Sequence, residues 1–187
     1  MPRLAGALAR RRVALGVLGL LLTVVSPGGL PLTARADEAG EVARLKAEIE
    51  DLKGRLPSQS HAMMDVGYHF TNLWFAGQKQ NWSLAQFYLD ETRSHLRWAV
   101  RIIPVRRTTA GPVDLHGLLE AVDRTGLAAV GKAIAEKSTD AFTAGYKQTL
   151  EGCYACHKAS DKPYLRPRIP DEPEVRIINF DPAETWP

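Results

Sequence analysis

Five consecutive residues, Cys153-Tyr154-Ala155-Cys156-His157, have the types and spacing that redox chemistry could use. The motif C-x-x-C-H is the attachment site of a c-type haem. Two thiols at this spacing reach the two vinyl groups of one porphyrin, and the imidazole that follows is placed to bind the iron. Cys153 and Cys156 are the only cysteines in the chain. The sequence therefore predicts one covalent haem c, attached through Cys153 and Cys156, with His157 as the proximal iron ligand.

Three other uses of the cysteine pair stay open on the sequence alone. A thioredoxin-like redox C-x-x-C belongs near a βαβ pattern, whereas the flanking sequence here has helical periodicity. The two cysteines could instead form a structural disulfide. A zinc site would need further ligands at metal spacing, and the chain has no second cysteine pair. The motif favours covalent haem over these three alternatives.

The size and charge of the chain limit the class of protein. The 187 residues suit one domain of ordinary globular composition. The formal net charge of +3 depends on five arginines that precede the first acidic residue, Asp37, and removing them would change it to −2. A basic nucleic-acid-binding surface then has no support, so we expect no nucleic-acid partner.

Residues 1–36 have the regions of a secretory signal peptide. Arg10-Arg11-Arg12 forms a positive n-region, residues 13–25 form an apolar h-region, and Ala34-Arg35-Ala36 offers a cleavage site. The apolar run is shorter than the about 20 residues of a membrane-spanning helix, although an uncleaved anchor stays an alternative. We expect export to the bacterial periplasm, where c-type haem is attached, and no stable membrane insertion after cleavage.

Residues 37–58 form a predicted amphipathic helix. Its apolar residues follow the a/d spacing of a coiled coil: Val42, Leu45, Ile49, Leu52 and Leu56. The repeat is shorter than the roughly three to four heptads that identify a coiled coil. Two interpretations stay open: the helix packs on its own domain, or it forms a homodimer through residues 42–56.

Residues 59–160 carry helical periodicity that predicts an all-α four-helix bundle. The four helices are predicted over residues 61–78, 82–103, 126–136 and 141–160, with Ser60 as the first N-cap, a helical stretch around 113–122 and a loop over 106–112. Cofactors of such bundles lie between facing helices. The apolar stripe of the first helix begins at Met63, and Gly67 beside it would let a haem face approach the helix backbone, so this helix supplies a candidate for the sixth iron position.

Met63 is the first candidate for this distal ligand, and Met64 is the second. Neighbouring residues of a helix point about 100° apart, so a small change in helix rotation would exchange them. Met63 could equally fill the core, which is the commoner role of a methionine on an apolar face. The weaker candidates are histidines: His61, His69, His95 and His116.

Residues 161–187 contain six prolines and no helical period, which predicts an extended C-terminal arm. Three apolar residues would serve no purpose in a free tail: Ile177, Ile178 and Phe180. We therefore expect the arm to lie over the bundle and shield a haem edge. Arg166, or alternatively Arg168, would pair with a haem propionate, because a guanidinium matches carboxylate geometry. A disordered tail is the alternative.

The residues Cys153-Tyr154-Ala155-Cys156-His157-Lys158-Ala159, a first-helix methionine and the helical pattern resemble the class II c-type cytochromes, the cytochrome c-prime group. The stretch Leu73-Trp74-Phe75-Ala76-Gly77, with Asn81-Trp82 and Leu84-Ala85 after it, resembles small exported bacterial c-type cytochromes related to that class. The resemblance covers about residues 60–160. The coiled-coil-like stretch and the Pro-rich arm depart from the simplest class II pattern.

The resemblance implies thioether attachment at Cys153 and Cys156, His157 as proximal ligand, and an open question at the sixth position. It implies a periplasmic cytochrome that carries single electrons between redox proteins and is not an enzyme. A methionine ligand would raise the redox potential and suit this role. Two alternatives stay open: a five-coordinate protein that binds NO or CO, and a haem subunit of a periplasmic oxidoreductase that docks through residues 42–56.

Overall fold

The computed structural model of the chain describes residues 32–174 and 177–185, with side chains from residue 37 onward. These residues are mostly helical. The helices are α1 (Leu32–Arg55), α2 (Gln59–Gln78), α3 (Trp82–Ile102), α4 (Leu115–Val122), α5 (Ala128–Ala135) and α6 (Thr139–Ala159), and the strands are β1 (Val105–Thr108) and β2 (Gly111–Asp114). No helix within the described ranges is both long enough and apolar enough to cross a bilayer. The predicted signal peptide lies outside the described residues, apart from the backbone at the start of α1.

The chain divides into two compact units between Gly54 and Arg55. Helix α1 contains nearly all of the predicted amphipathic segment and carries ion pairs one turn apart, such as Glu41 with Arg44 at 2.7 Å. The five apolar residues of its stripe are all exposed, between 44% and 58% of their full surface.

Helices α2 and α3 form an antiparallel pair joined by a tight turn at Gln80, whose φ is 57°. The Ser58 hydroxyl caps α2 by accepting from the His61 N–H at 3.3 Å, so the predicted cap at Ser60 is wrong by two residues. Asn81 caps α3 by accepting from the Leu84 N–H at 3.2 Å. Because such side-chain oxygens satisfy helix N–H groups that otherwise lack a partner, they fix where both helices begin.

A short β-hairpin follows α3 where the sequence predicted a loop over 106–112. Strand β1 pairs antiparallel with β2, with Arg106 opposite Val113, and Gly111 supplies the positive φ of 122° at the turn. Four-residue strands are too short to show a convincing alternation of apolar and polar residues. The hairpin matters for the site because it brings Arg106 back beside the start of α2, where its guanidinium donates to the Gln59 side-chain oxygen.

Helices α4 and α5 form one continuous helical segment, because a π-helical turn over Asp123–Leu127 joins them. The sequence predicted two separate helices here. A Cβ atom at Gly126 would lie 2.7 Å from the backbone nitrogen of Thr149 in α6. A Cβ atom at Gly145 of α6 would lie 2.9 Å from the Val130 nitrogen of α5. These two glycines let α6 approach the preceding segment at backbone contact distance.

The core forms where α6 meets α2, α3 and α5. The Tyr146 ring of α6 stacks on Phe70 of α2 with centroids 4.1 Å apart, and its hydroxyl donates to the Phe70 carbonyl at 3.0 Å. Burial of Tyr146 raises the pKa of its phenol, with a further contribution from Cys153, so the buried hydroxyl stays protonated. These contacts fix α6, and hence the C-x-x-C-H motif at its end.

Of the three apolar residues singled out in the arm, two contact the helical core. Phe180 is buried, at 9% exposure, with its ring 5.8 Å from Phe75 of α2, and Ile178 packs against the same cluster. Ile177 is 84% exposed. Phe180 and Ile178 of the arm therefore lie against the helices, as expected for an arm over the bundle, whereas Ile177 does not.

Candidate functional site

A cavity of about 700 Å³ lies between α2, α3, the hairpin, α4, α6 and the first residues of the arm. Its walls are mainly aliphatic: Leu96, Ala99, Val100, Ile103, Leu115, Leu118, Leu119 and Val122. The volume is within the range of about 300–1,000 Å³ typical of cofactor pockets, which are apolar with a few placed polar groups. The cavity is therefore large enough for a cofactor with flat apolar faces.

Helix α6 contributes to this cavity the three residues of the motif that carry reactive side chains: Cys153, Cys156 and His157. Residues three and four positions apart lie on one face of a helix, so the motif turns one face toward the cavity. Gly152 lies next to Val122 of α4, where a Cβ atom would be 2.9 Å from a methyl carbon. This close approach fixes where the motif lies along the cavity wall.

The two cysteines are free thiols, partly shielded from solvent. Burial raises the pKa of Cys153 to about 11, and the neighbouring Cys156 adds to this increase. Burial also raises the pKa of Cys156, although the Ser160 hydroxyl and the Arg106 charge act in the opposite direction. Both groups are therefore neutral thiols at neutral pH, and this structure does not contain the disulfide that the sequence left open.

His157 has one ring nitrogen already engaged. Its Nδ1 lies 2.8 Å from the Leu165 carbonyl oxygen of the arm, and because a carbonyl only accepts, Nδ1 carries the proton and donates. The other nitrogen, Nε2, then keeps a free lone pair. Metal-binding histidines usually have such a partner, since it fixes the tautomer and the ring orientation. The arm thus prepares His157 as a ligand through Nε2.

Helix α2 contributes both methionines to the cavity lining. Met63 is half-buried, whereas Met64 is 67% exposed. Burial therefore ranks Met63 above Met64, in the same order as the sequence. The histidines considered as weaker distal ligands are all absent from the lining: His61, His69, His95 and His116.

Three cationic side chains also line the cavity: Arg106, Lys162 and Arg166. Arg166 donates through Nε to the Pro163 carbonyl at 3.4 Å. The alternative anion partner, Arg168, lies outside the lining and pairs with Asp171 at 2.8 Å. The sequence did not point to Arg106, because only the hairpin brings this residue to the site and its local sequence has no recognisable motif.

These features together fit a haem c. The cavity supplies two thiols at the correct spacing, an imidazole with a free Nε2 and a thioether from Met63 on another helix. It also supplies apolar walls for the porphyrin faces and two guanidinium groups, from Arg106 and Arg166, for the carboxylates of the porphyrin. Zinc would need further thiolate, imidazole or carboxylate ligands, and the described lining offers no third cysteine, no second histidine and no aspartate or glutamate.

Comparison with protein-family models gives no match for this chain, and comparisons with curated proteins and with solved structures give none either.

Proposed function

We propose that the chain is a monohaem c-type cytochrome of the class II type, which carries single electrons between redox proteins in the bacterial periplasm. In this proposal α2, α3, the α4–α5 segment and α6 are the four helices of a bundle around the haem. The main support is the position of six residues that were selected from the sequence as haem contacts: Cys153, Cys156, His157, Met63, Met64 and Arg166. All of them line one apolar cavity.

Each of these side chains would have its own role in holding the haem. Cys153 and Cys156 would hold the porphyrin through thioethers, and His157 would bind the iron through Nε2 while the Leu165 carbonyl keeps its ring oriented. Met63 would occupy the sixth position from α2. The bound haem would supply one-electron chemistry at its iron.

The remaining lining would control the surroundings of the haem. The leucines of α3 and α4 would exclude water from the porphyrin faces, and a dry apolar environment is one of the levers that set a redox potential. Arg106 and Arg166 would offset the charge of the two propionates.

A gas-binding role is the second candidate, and one observation favours it. The cavity side chains contributed by α3 are all apolar: Leu96, Ala99, Val100 and Ile103. If Met63 packs against this wall instead of binding iron, the sixth position would be open to NO or CO. The third candidate, a haem subunit of a larger oxidoreductase, is supported by the exposed apolar stripe of α1, which would then be its docking surface.

Covalent attachment is tested first. The full chain is produced in a bacterium that matures c-type cytochromes, and haem is followed on the polypeptide under denaturing conditions. Haem should remain bound to the wild type and to Met63→Ala, and the double variant Cys153→Ser/Cys156→Ser should lose it. A wild-type chain that is exported and folded but carries no covalent haem contradicts the proposal.

The sixth ligand is tested by optical spectra of the oxidised and reduced haem protein, with and without CO. Electron transfer through a Met63-ligated iron predicts a low-spin spectrum that CO does not change. Met63→Ala should become high-spin and CO-sensitive, whereas the matched control Met64→Ala should keep the wild-type spectrum. A wild-type spectrum that is high-spin and responds to CO rejects Met63 as ligand and favours gas binding.

The homodimer through residues 42–56 stays a prediction and has its own test. Sedimentation equilibrium should give a dimer for the wild type and a monomer for Ile49→Lys, since a charge in the apolar stripe opposes association. Lys46→Gln, which changes charge outside the stripe, is the control. If the wild type is a monomer, the dimer prediction is wrong. Co-purification of a redox enzyme would favour the role as an oxidoreductase subunit.

A further inference from the structure

Helices α2 and α3 bring a second group of chemically active side chains together outside the cavity. His69 of α2 and Glu91 and His95 of α3 each offer one ligand atom, and these atoms lie within 4.8 Å of one another. Glu91 and His95 are four residues apart and so share one face of α3. The two imidazole rings lie 4.6 Å apart between centroids. All three residues are partly buried.

Asp65, one turn before His69 on α2, faces the same group. Its Oδ2 lies 4.0 Å from His95 Nε2. The Glu91 carboxylate lies 3.9 Å from His69 Nε2 and 3.7 Å from His95 Nδ1. Each of these distances exceeds the roughly 3.2 Å limit of an N–H···O hydrogen bond. His69, Glu91 and His95 therefore place their ligand atoms close together, with Asp65 beside His95, and none of these pairs is close enough for a hydrogen bond.

The lone pairs of both histidines remain available. His95 Nδ1 lies 2.9 Å from the Glu91 backbone carbonyl, so it donates there and leaves Nε2 as a free acceptor, an arrangement typical of a metal-binding histidine. His69 is 86% buried, since its side chain is only 14% exposed, and its Nδ1 has no hydrogen-bond partner. A buried ring nitrogen without a partner is uncommon and calls for a physical explanation.

We propose that Asp65, His69, Glu91 and His95 bind one divalent transition-metal cation of the zinc class. Two imidazoles and two carboxylates are an ordinary ligand set for zinc, and the two carboxylates neutralise its charge. Ligand atoms of a tetrahedral site with bonds of about 2.0–2.1 Å lie about 3.3 Å apart. Loading would therefore shorten the 3.9 Å between Glu91 and His69 Nε2 and the 4.0 Å between Asp65 and His95 Nε2 by about 0.6–0.7 Å each, which side-chain rotation can supply.

Such a site would be structural, because four protein ligands leave no open position. It would join α2 to α3 within two turns of Met63, and so would fix the helix that presents this methionine to the cavity. The proposal does not depend on haem, because none of its four residues lines the cavity.

The test uses the purified full chain, stripped of exchangeable metal with a chelator and titrated with zinc chloride by calorimetry. The expected result is one zinc per chain. His69→Gln and Glu91→Gln should each lower the affinity at least about 10-fold, a loss seen even for residues outside the ligand set. The control is His116→Gln, since His116 is exposed on α4, where its ring lies 3.6 Å from Glu120; this variant should bind zinc as the wild type does.

Far-UV circular dichroism shows whether each variant is folded. If His69→Gln does not fold, Glu91→Gln decides, because the Glu91 side chain is 36% exposed and its loss should be tolerated. Zinc should also raise the melting temperature of the wild type and of His116→Gln, but not that of Glu91→Gln. No zinc binding by the wild type, or equal binding by Glu91→Gln and the wild type, overturns the proposal.

Discussion

Phe180 attaches the C-terminal arm to the helical core, and its removal should have a measurable cost. Its side chain is 9% exposed and lies against Phe75. Phe→Ala in a protein core costs about 3–5 kcal/mol. Because Phe180 lies at the edge of the core and its partner Phe75 is half-buried, we expect about 3 kcal/mol for Phe180→Ala. In a unit of this size that corresponds to a decrease of about 10 °C in Tm.

The arm contains its own control. Ile177, three residues earlier, is 84% exposed, so Ile177→Ala should change stability by no more than about 0.5 kcal/mol. Calorimetric unfolding and hydrogen exchange are measured on both variants. Phe180→Ala should lower Tm and accelerate exchange at the Leu165 N–H, which donates to the Lys162 carbonyl at 3.0 Å. If both variants match the wild type in Tm and in the hydrogen-exchange rates of the arm, the arm is not docked through Phe180.

Three further predictions concern the elements that position the site. Gly126→Ala should cost about 1–3 kcal/mol in urea unfolding, because its Cβ would meet the α6 backbone at 2.7 Å. Gly67→Ala, where a Cβ meets nothing within 4 Å, should instead stabilise by up to about 1 kcal/mol; equal effects would contradict the close packing of α6. Tyr146→Phe should cost about 1 kcal/mol through loss of its buried hydrogen bond, and an unchanged unfolding midpoint would exclude that bond. Burial raises the pKa of Tyr88 from 10.0 to about 12. The neutral Tyr88 phenol therefore contributes its full share of stability below pH 10, and this share is lost as the pH rises toward 12. An ultraviolet titration in which every tyrosine ionises near pH 10 would contradict this.

Helix periodicity predicted α2, α3 and α6 to within a few residues, because each buries one continuous face and local spacing reports such a face directly. The β-hairpin was missed for the opposite reason. Its strands are four residues long, and their pairing depends on contacts across the turn. The π-helical segment was also missed, since Gly126 suggested a helix start although its role is to let α6 approach.

The residues of the candidate site likewise fall into those that the sequence could predict and those that it could not. Cys153, Cys156 and His157 could be selected from the sequence because their chemistry requires a fixed spacing within one helix. Arg106 could not be selected, since only the hairpin brings it to the cavity. The group around His69 and Glu91 was equally hidden, because the two residues are on different helices and neither has a motif of its own.

The sequence by itself determined the helical character of the chain and the C-x-x-C-H motif, because these depend on spacing within one element. Only the tertiary structure decided that the motif, the methionines and Arg166 line a single cavity. It also decided that the Leu165 carbonyl orients His157 and that Ile177 stays exposed while Phe180 is buried. The physical reason is that each of these depends on how separate elements pack, and local spacing carries no record of that packing.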